Sequence, residues 1–142
     1  MACCGIWEKF DEKNNLIKEY KHWKLLVKPK QKTLANCVAI TKRHMESFSE
    51  ITDEEMQEYA QVVRDIEKAL KKLFNYDVIH HLMLMFKDKH THFHIIARYK
   101  EPKEFAGIKW EDPFEPDPLS IKGIIPSQEV LNKIKEEIKK QI

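Results

Sequence analysis

The amino-acid sequence predicts an α+β fold in which antiparallel strands are combined with one long helix and a C-terminal helix. Residues 90–95 alternate histidines with Thr, Phe and Ile at the start of a predicted strand over residues 90–99, as a strand with one buried face does. The apolar run at residues 78–85 lies just before them, and the short separation is typical of an antiparallel hairpin. Residues 56–73 repeat apolar side chains at helical spacing. These three observations carry the fold class.

The composition is that of a single globular domain covering residues 1–142. Of the 142 residues, 42% are hydrophobic and 34% are charged, and the formal net charge is +2. This balance gives no general reason to expect binding to a membrane or to nucleic acid. Three cysteines, two of them adjacent, make a poor disulfide framework, and no signal peptide or transmembrane run is visible. We therefore expect a cytoplasmic protein.

The chain before the long helix predicts an arm and two strands. Residues 1–22 are mixed and highly charged, and we predict a loosely attached arm that can hold a short helix. Residues 23–28 form a strand that Pro29 ends, and residues 37–41 form a second strand. Lysines alternate at positions 28, 30 and 32. They indicate a solvated strand edge that discourages strand pairing. A patch that faces phosphate is the less favoured interpretation.

The long helix begins at a capping box made by Thr52 and Glu55. Residues 78–85 are predicted as a strand, and its second half, residues 82–85, is apolar on both faces, as in a central buried strand. A short hairpin turn at residues 86–89 then leads into the strand at 90–99. With these elements the core of the domain spans residues 23–100.

Residues 101–142 form a tail rich in proline and aromatic residues. Its prolines break regular structure, while Phe105, Trp110 and Phe114 anchor it to the domain. Ser127 caps a final helix.

The feature with the strongest chemical meaning is a row of three histidines. His90, His92 and His94 occupy alternate positions, so in a strand their imidazoles share one face. Three solvated or packed histidines are a minor alternative. A metal could be held by two of them, but the third lies about 13 Å from the first along a straight strand. A linear phosphate compound suits such a row better than a metal does.

The row suggests a mechanism for attack on phosphorus. His92, in the middle, is best placed as the nucleophile, with its other nitrogen held by a backbone carbonyl. His90 and His94 can then stabilise oxygens and the leaving group, as imidazolium ions if protonated. His44 follows the second strand and can orient the row.

These residues resemble a known family. Residues 90–96, His-Thr-His-Phe-His-Ile-Ile, fit the His-x-His-x-His-x-x signature of the histidine triad superfamily. Residues 37–44 look like the family's strand that leads to a further histidine, and residues 48–55 look like the entry to its long helix. The likeness covers residues 23–100 in order, and the aromatic tail is similar to that of a prokaryotic branch.

The resemblance implies a five-stranded antiparallel sheet and a protein that, like many members of the family, forms a homodimer. It also implies a nucleotide hydrolase or nucleotidyl transferase that needs no cofactor. Such proteins cleave a nucleoside monophosphate, here an AMP-type purine nucleotide, from phosphoramidates, acyl-phosphates or dinucleoside polyphosphates. By this resemblance His92 is the nucleophile that forms a nucleotidyl-histidine. His90 and His94 match its flanking partners, and His44 matches the supporting fourth histidine.

The candidate substrate-binding residues are Leu26, Lys28, His80 and Lys87. Lys28 stands where many members of the family place an acidic residue that holds the ribose hydroxyls. His80 or His81 stands near the position of an asparagine, and the strand register decides which of them faces the site. Lys87 precedes the triad, where Ser or Gln donors are common.

Two other functions stay open. A nucleotide-binding or interaction protein with little turnover would keep the same site. A metal-binding protein would use the row together with His44 or His80.

Overall fold

The computed structural model describes residues 4–142, so Cys3 lies outside the described part of the chain. The strands are β1 (Leu16–Glu19), β2 (Trp23–Val27), β3 (Cys37–Thr41), β4 (Val78–Leu82), β5 (His92–Arg98), β6 (Lys103–Phe105) and β7 (Ile108–Trp110). The α-helices are α1 (Ile6–Lys9), α2 (Glu12–Asn15), α3 (Asp53–Phe74) and α4 (Gln128–Lys139). None of the helices within residues 4–142 has the length and apolar character needed to cross a membrane.

Five strands form one antiparallel sheet in the order β1-β2-β3-β5-β4. A separate hairpin pairs β6 with β7. The long helix α3 and the C-terminal helix α4 complete the fold, which confirms the predicted α+β class with a five-stranded antiparallel sheet. β5 lies between β3 and β4, so His92 and His94 stand on an interior strand of the sheet.

One face of the sheet forms the main core with α3 and α4. Strand residues on this face include Leu25 and Ile95, and helix residues include Ile66 and Ile134, all of them fully buried. The capping box of α3 is confirmed: the Thr52 amide donates to the Glu55 carboxylate at 2.8 Å, and the Glu55 amide donates to the Thr52 hydroxyl at 3.1 Å. The opposite face of the sheet is therefore left for the histidines.

The prediction of a loosely attached N-terminal arm is wrong from residue 5 onwards. Ile6 and Phe10 pack with Leu26, Val38 and Ile40 in a second buried cluster on the histidine face. The following segment, β1, adds the edge strand next to β2. There is little sign of this packing in the sequence, because α1 and α2 are each only one turn long and so show little helical periodicity. Charged residues also separate the few apolar ones.

The hairpin of β4 and β5 is confirmed as antiparallel, but two details of the prediction are wrong. β4 ends at Leu82 and lies at the edge of the sheet, with Val78 44% exposed. β5 begins at His92, because Leu82 pairs with His94 and the chain between them runs as a loop over residues 83–91. The apolar residues after Leu82 thus lie outside the strand, and Phe86 is 88% exposed.

The tail contains more regular structure than predicted. β6 and β7 form a hairpin whose turn places Ala106 and Gly107 at φ of 54° and 76°, backbone angles that favour glycine. The C-terminal helix is confirmed, with the Ser127 side chain accepting a hydrogen bond from the Val130 amide at 3.3 Å.

Candidate active site

The strand register brings the candidate residues together on one face of the sheet. His94 pairs with Val38, which in turn pairs with Leu26, and directly paired residues in adjacent strands point to the same side. His92 pairs with Ile40 in the next row. The histidines of β5 therefore share one face of the sheet with the apolar residues Leu26, Val38 and Ile40, and the alternation along the strand predicted that they share a face.

His92 has the geometry of an oriented nucleophile. Its Nδ1 lies 2.5 Å from the backbone oxygen of His90. A carbonyl oxygen can only accept a hydrogen bond, so Nδ1 carries the proton and the lone pair resides on Nε2. This is the tautomer that attack on phosphorus requires, and the hydrogen bond fixes the ring orientation.

His90 lies just before β5 and contacts His44. Nε2 of His90 donates to the carbonyl oxygen of Thr41 at 2.7 Å, and its Nδ1 lies 3.2 Å from Nδ1 of His44. Nε2 of His44 lies 3.2 Å from a carboxylate oxygen of Glu46. The structure thus places all four predicted histidines in one group, with His90 in contact with both His44 and His92.

Burial keeps the row uncharged. Burial, followed by the charge of Lys28, lowers the pKa of His94 to about 3. Burial also lowers the pKa of His90 and His92. The expectation that the flanking histidines act as imidazolium ions is therefore wrong for the unliganded protein near neutral pH, and positive charge must come from other residues.

That charge comes from Lys28, the residue after β2. Its amide donates to the backbone oxygen of Asn36 at 3.0 Å, so the pairing of β2 with β3 continues past Val27. Lys28 is the next residue after Leu26 on the same face of the sheet. Lys28 is only 9% exposed, so the solvated edge preferred from the sequence is wrong at this position. Burial, followed by the charge of Lys32, lowers the pKa of Lys28 to about 8.

The family follows from a sequence comparison. The family model described as "HIT domain" matches residues 9–101 of this chain. The chain belongs to the HIT domain family. A comparison with curated proteins finds no match.

Solved structures with the same fold include several HIT proteins. A histidine triad protein from Marinobacter aquaeolei VT8 is 16% identical, with 99% of this chain and 96% of that chain covered and a TM-score of 0.75. The Plasmodium falciparum diadenosine triphosphate hydrolase is 17% identical, with 90% and 76% covered and a TM-score of 0.65. A Zn-bound histidine triad family protein from Mycobacterium smegmatis is 17% identical, with 88% and 86% covered and a TM-score of 0.53. At these identities the likeness shows the shared HIT fold.

Within the HIT fold, the register answers which of the two adjacent histidines faces the row. His80 pairs with Ile96 and therefore lies on the same face as His94. Its Nε2 accepts a hydrogen bond from Arg98 at 3.3 Å. His81 points to the other face, where it contacts Tyr59 at 3.1 Å and Glu67 at 2.7 Å.

Lys87 does not join the site in this structure. It is exposed in the loop of residues 83–91, and none of the contacts formed within residues 4–142 links it to the histidine row. A neighbour in the same loop, Asp88, comes closer: it forms an ion pair with Lys9, and its charge acts on His92.

The N-terminal helices supply site residues that the sequence interpretation missed. The ring of Phe10 lies 6.1 Å from that of His92 and 6.0 Å from that of His94, and the ring of Trp7 lies 5.7 Å from that of His90. Ile6 and Phe10 are four residues apart, and this helical spacing was the available signal.

Cys4 also reaches the histidine row, with its Sγ 3.4 Å from Nδ1 of His90. One ligand atom from each of Cys4, His44 and His90 lies within 4.8 Å of the others. The sequence interpretation, which considered the cysteines only as a poor disulfide framework, did not anticipate that Cys4 lies beside the row.

Proposed function

We propose that this HIT protein is a hydrolase or transferase that moves a nucleoside monophosphate, an AMP-type purine nucleotide, through a covalent intermediate on His92. The observation that carries the proposal is the hydrogen bond from Nδ1 of His92 to the His90 carbonyl oxygen, which leaves the Nε2 lone pair for attack. Because its pKa is lowered by burial, the imidazole is neutral at neutral pH and needs no separate base.

The reaction has two displacements. Nε2 of His92 forms a bond to the α-phosphorus, the bond from phosphorus to the leaving amine or phosphate breaks, and the leaving group takes up a proton from solvent. A water molecule or another acceptor then attacks the phosphorus and gives up its proton to solvent, the P–N bond to His92 breaks, and the nucleotide leaves. No step in this scheme calls for a metal, because the neutral imidazole of His92 attacks directly and hydrogen-bond donors can offset the phosphate charge.

The neighbours support this substrate class. The Plasmodium falciparum relative of the same fold is a diadenosine triphosphate hydrolase, a protein that acts on a dinucleoside polyphosphate. Phosphoramidates and acyl-phosphates share the reacting α-phosphate group. His90 and His94 flank the nucleophile on the same face, and His44 positions His90.

The test is turnover of adenosine 5′-phosphoramidate in the presence of a chelator. The wild type should release AMP, and His92→Ala should lose at least about a thousandfold in rate, as removal of a covalent nucleophile does. His81→Ala is the matched control, since His81 lies on the opposite face, and it should keep most of the activity. Equal rates in the wild type and His92→Ala would contradict the proposal. Nucleotide binding without turnover by the wild type would favour the alternative of a nucleotide-binding protein.

We infer that the protein forms a homodimer through β4. This strand is at the edge of the sheet, and Val78 and Leu84 near its two ends are 44% and 42% exposed. An exposed apolar edge strand readily pairs with another strand. Sedimentation equilibrium should give twice the 17.0 kDa chain mass. The chain mass itself at micromolar concentration would contradict the inference.

A second candidate function, binding of a divalent metal, is favoured by the cluster of Cys4, His44 and His90. A thiolate and two imidazoles are a donor set that zinc prefers, and the far nitrogens of both rings bond to oxygen atoms of Thr41 and Glu46, as in many zinc sites. The Mycobacterium smegmatis relative is Zn-bound. Such an ion would hold the N-terminal segment beside the row, while His92 keeps its own role.

Metal content measured after purification without chelator tests this candidate. We expect zinc in the wild type and in Cys37→Ala, whose thiol is buried in the main core, and none in Cys4→Ser. Metal-free wild type after growth with added zinc would contradict it.

A further inference from the structure

Lys28 is a buried cation on the histidine face that lacks an anionic partner. It is 9% exposed, and within residues 4–142 no carboxylate forms an ion pair with it and no acceptor receives a hydrogen bond from its ammonium. Burying most of a charged side chain without an anionic partner is unfavourable. A buried cation in a site of phosphate chemistry is best explained by a ligand that brings the missing negative charge.

The charges around Lys28 have the same sign. Lys9, Lys30 and Lys32 each act on its ammonium, and Lys9 and Lys32 also act on His94. Asp88 pairs with Lys9 and also acts on His92, and Asp117 acts on Lys32. The charges that act directly on Lys28 nevertheless come mainly from lysines, so this side of the histidine row favours an anion.

The position of Lys28 separates its ammonium from the nucleophile. Lys28 continues β2, two strands away from β5, which corresponds to roughly 10 Å between the two backbones. It also lies one row beyond Leu26, on the side of His94 rather than that of His90. A group bound by Lys28 is therefore distinct from a phosphate held at His92.

The chemistry of an ammonium selects what that second group is. An ammonium has three donors and no acceptor, so it binds phosphate or carboxylate oxygens and cannot accept hydrogen bonds from sugar hydroxyls. We propose that the substrate carries a second anionic group, in addition to the phosphate attacked by His92, and that Lys28 binds it. This proposal rests on the proposed function. The second group is either a phosphate on the sugar of the transferred nucleotide or a further phosphate of the leaving chain.

Calorimetric titrations with three nucleotides distinguish these sources. AMP has one phosphate, adenosine 3′,5′-bisphosphate adds one on the sugar, and ADP adds one on the chain. The wild type should bind one of the two larger ligands at least tenfold more tightly than AMP. Lys28→Met should reduce that preference to less than about threefold. Lys30→Met is the matched control, because it removes the same charge from an exposed position, and it should keep the preference.

Each outcome decides the matter. Equal affinity of the wild type for all three nucleotides overturns the proposal about Lys28, while turnover of the phosphoramidate would still support the proposed function. A preference that survives in Lys28→Met also overturns it. Binding of no nucleotide, together with no turnover, overturns the proposed function and this proposal with it. Thermal melting checks that the variants fold, and Lys28→Gln provides a second neutral side chain.

Discussion

Replacing Lys28 with methionine should make the protein more stable and change how its stability depends on pH. The pKa of Lys28 is about 8 in the folded protein, whereas a lysine side chain ordinarily has a pKa of 10.5. The unfolded chain therefore binds this proton more tightly, and stability is lowest below pH 8 and rises as pH increases toward 10.5. The full shift corresponds to roughly 3 kcal/mol, and the rise between pH 7 and pH 9 to about 1.4 kcal/mol.

The charged and titratable groups near Lys28 are Lys9, Lys30, Lys32, the thiol of Cys37 and the imidazoles of His92 and His94. They remain in the methionine variant, so the difference between the two proteins isolates Lys28. Methionine keeps a long apolar side chain, and it should raise the free energy of unfolding by about 1–3 kcal/mol at pH 7.

Urea denaturation at pH 7, 8 and 9 measures both effects. We expect the gap in unfolding free energy between Lys28→Met and the wild type to shrink by about 1.4 kcal/mol from pH 7 to pH 9. Lys30→Met should show no such change, because Lys30 is exposed. A constant gap across this range, or a variant less stable than the wild type at pH 7, would refute the idea that Lys28 is buried with its charge uncompensated.

Two further predictions concern the frame of the site. Gly123→Ala should destabilise the protein by more than about 1 kcal/mol, because a Cβ there would lie 2.4 Å from the backbone oxygen of Gln31. Gly107→Ala has a similar positive φ but open space, so its smaller loss in urea denaturation gives the cost of the backbone angle alone. Asp112→Asn should lose about 3–5 kcal/mol, because the Arg98–Asp112 ion pair is buried, with side chains 3% and 1% exposed. A melting temperature unchanged by Asp112→Asn would contradict that estimate.

The elements predicted well are those whose signals are local. β3 was predicted with its observed bounds, because four apolar residues followed by a threonine, between polar flanks, define it. The long helix was recognised by its capping box and by an apolar stripe, and the chemistry of the histidine row followed from a period of two. The tautomer of His92 was also anticipated, since a backbone carbonyl is the acceptor that the strand itself supplies.

The elements that were missed depend on contacts between distant parts of the chain. Residues 6–19 could not be assigned to the sheet face and sheet edge, because their burial exists only once β2 and the histidines are in place. Similarly, β4 lies at the edge of the sheet because the other side of β5 pairs with β3. The residues at 78–85 carry no information about that pairing. The burial of Lys28 was missed for the same reason, since its alternation with Lys30 looks like a solvated strand.

The most direct test of the account is to find the covalent intermediate. Wild-type protein mixed with adenosine 5′-phosphoramidate in chelator should be quenched in base within milliseconds to seconds, because a phosphorus–nitrogen bond to histidine is lost in acid. Peptide mass spectrometry should then find AMP attached to the peptide that contains residues 90–94, with fragment ions that place it on His92. The adduct should be absent from His92→Ala and present in His81→Ala. Release of AMP without any adduct on His92, or an adduct on another residue, would contradict the central claim.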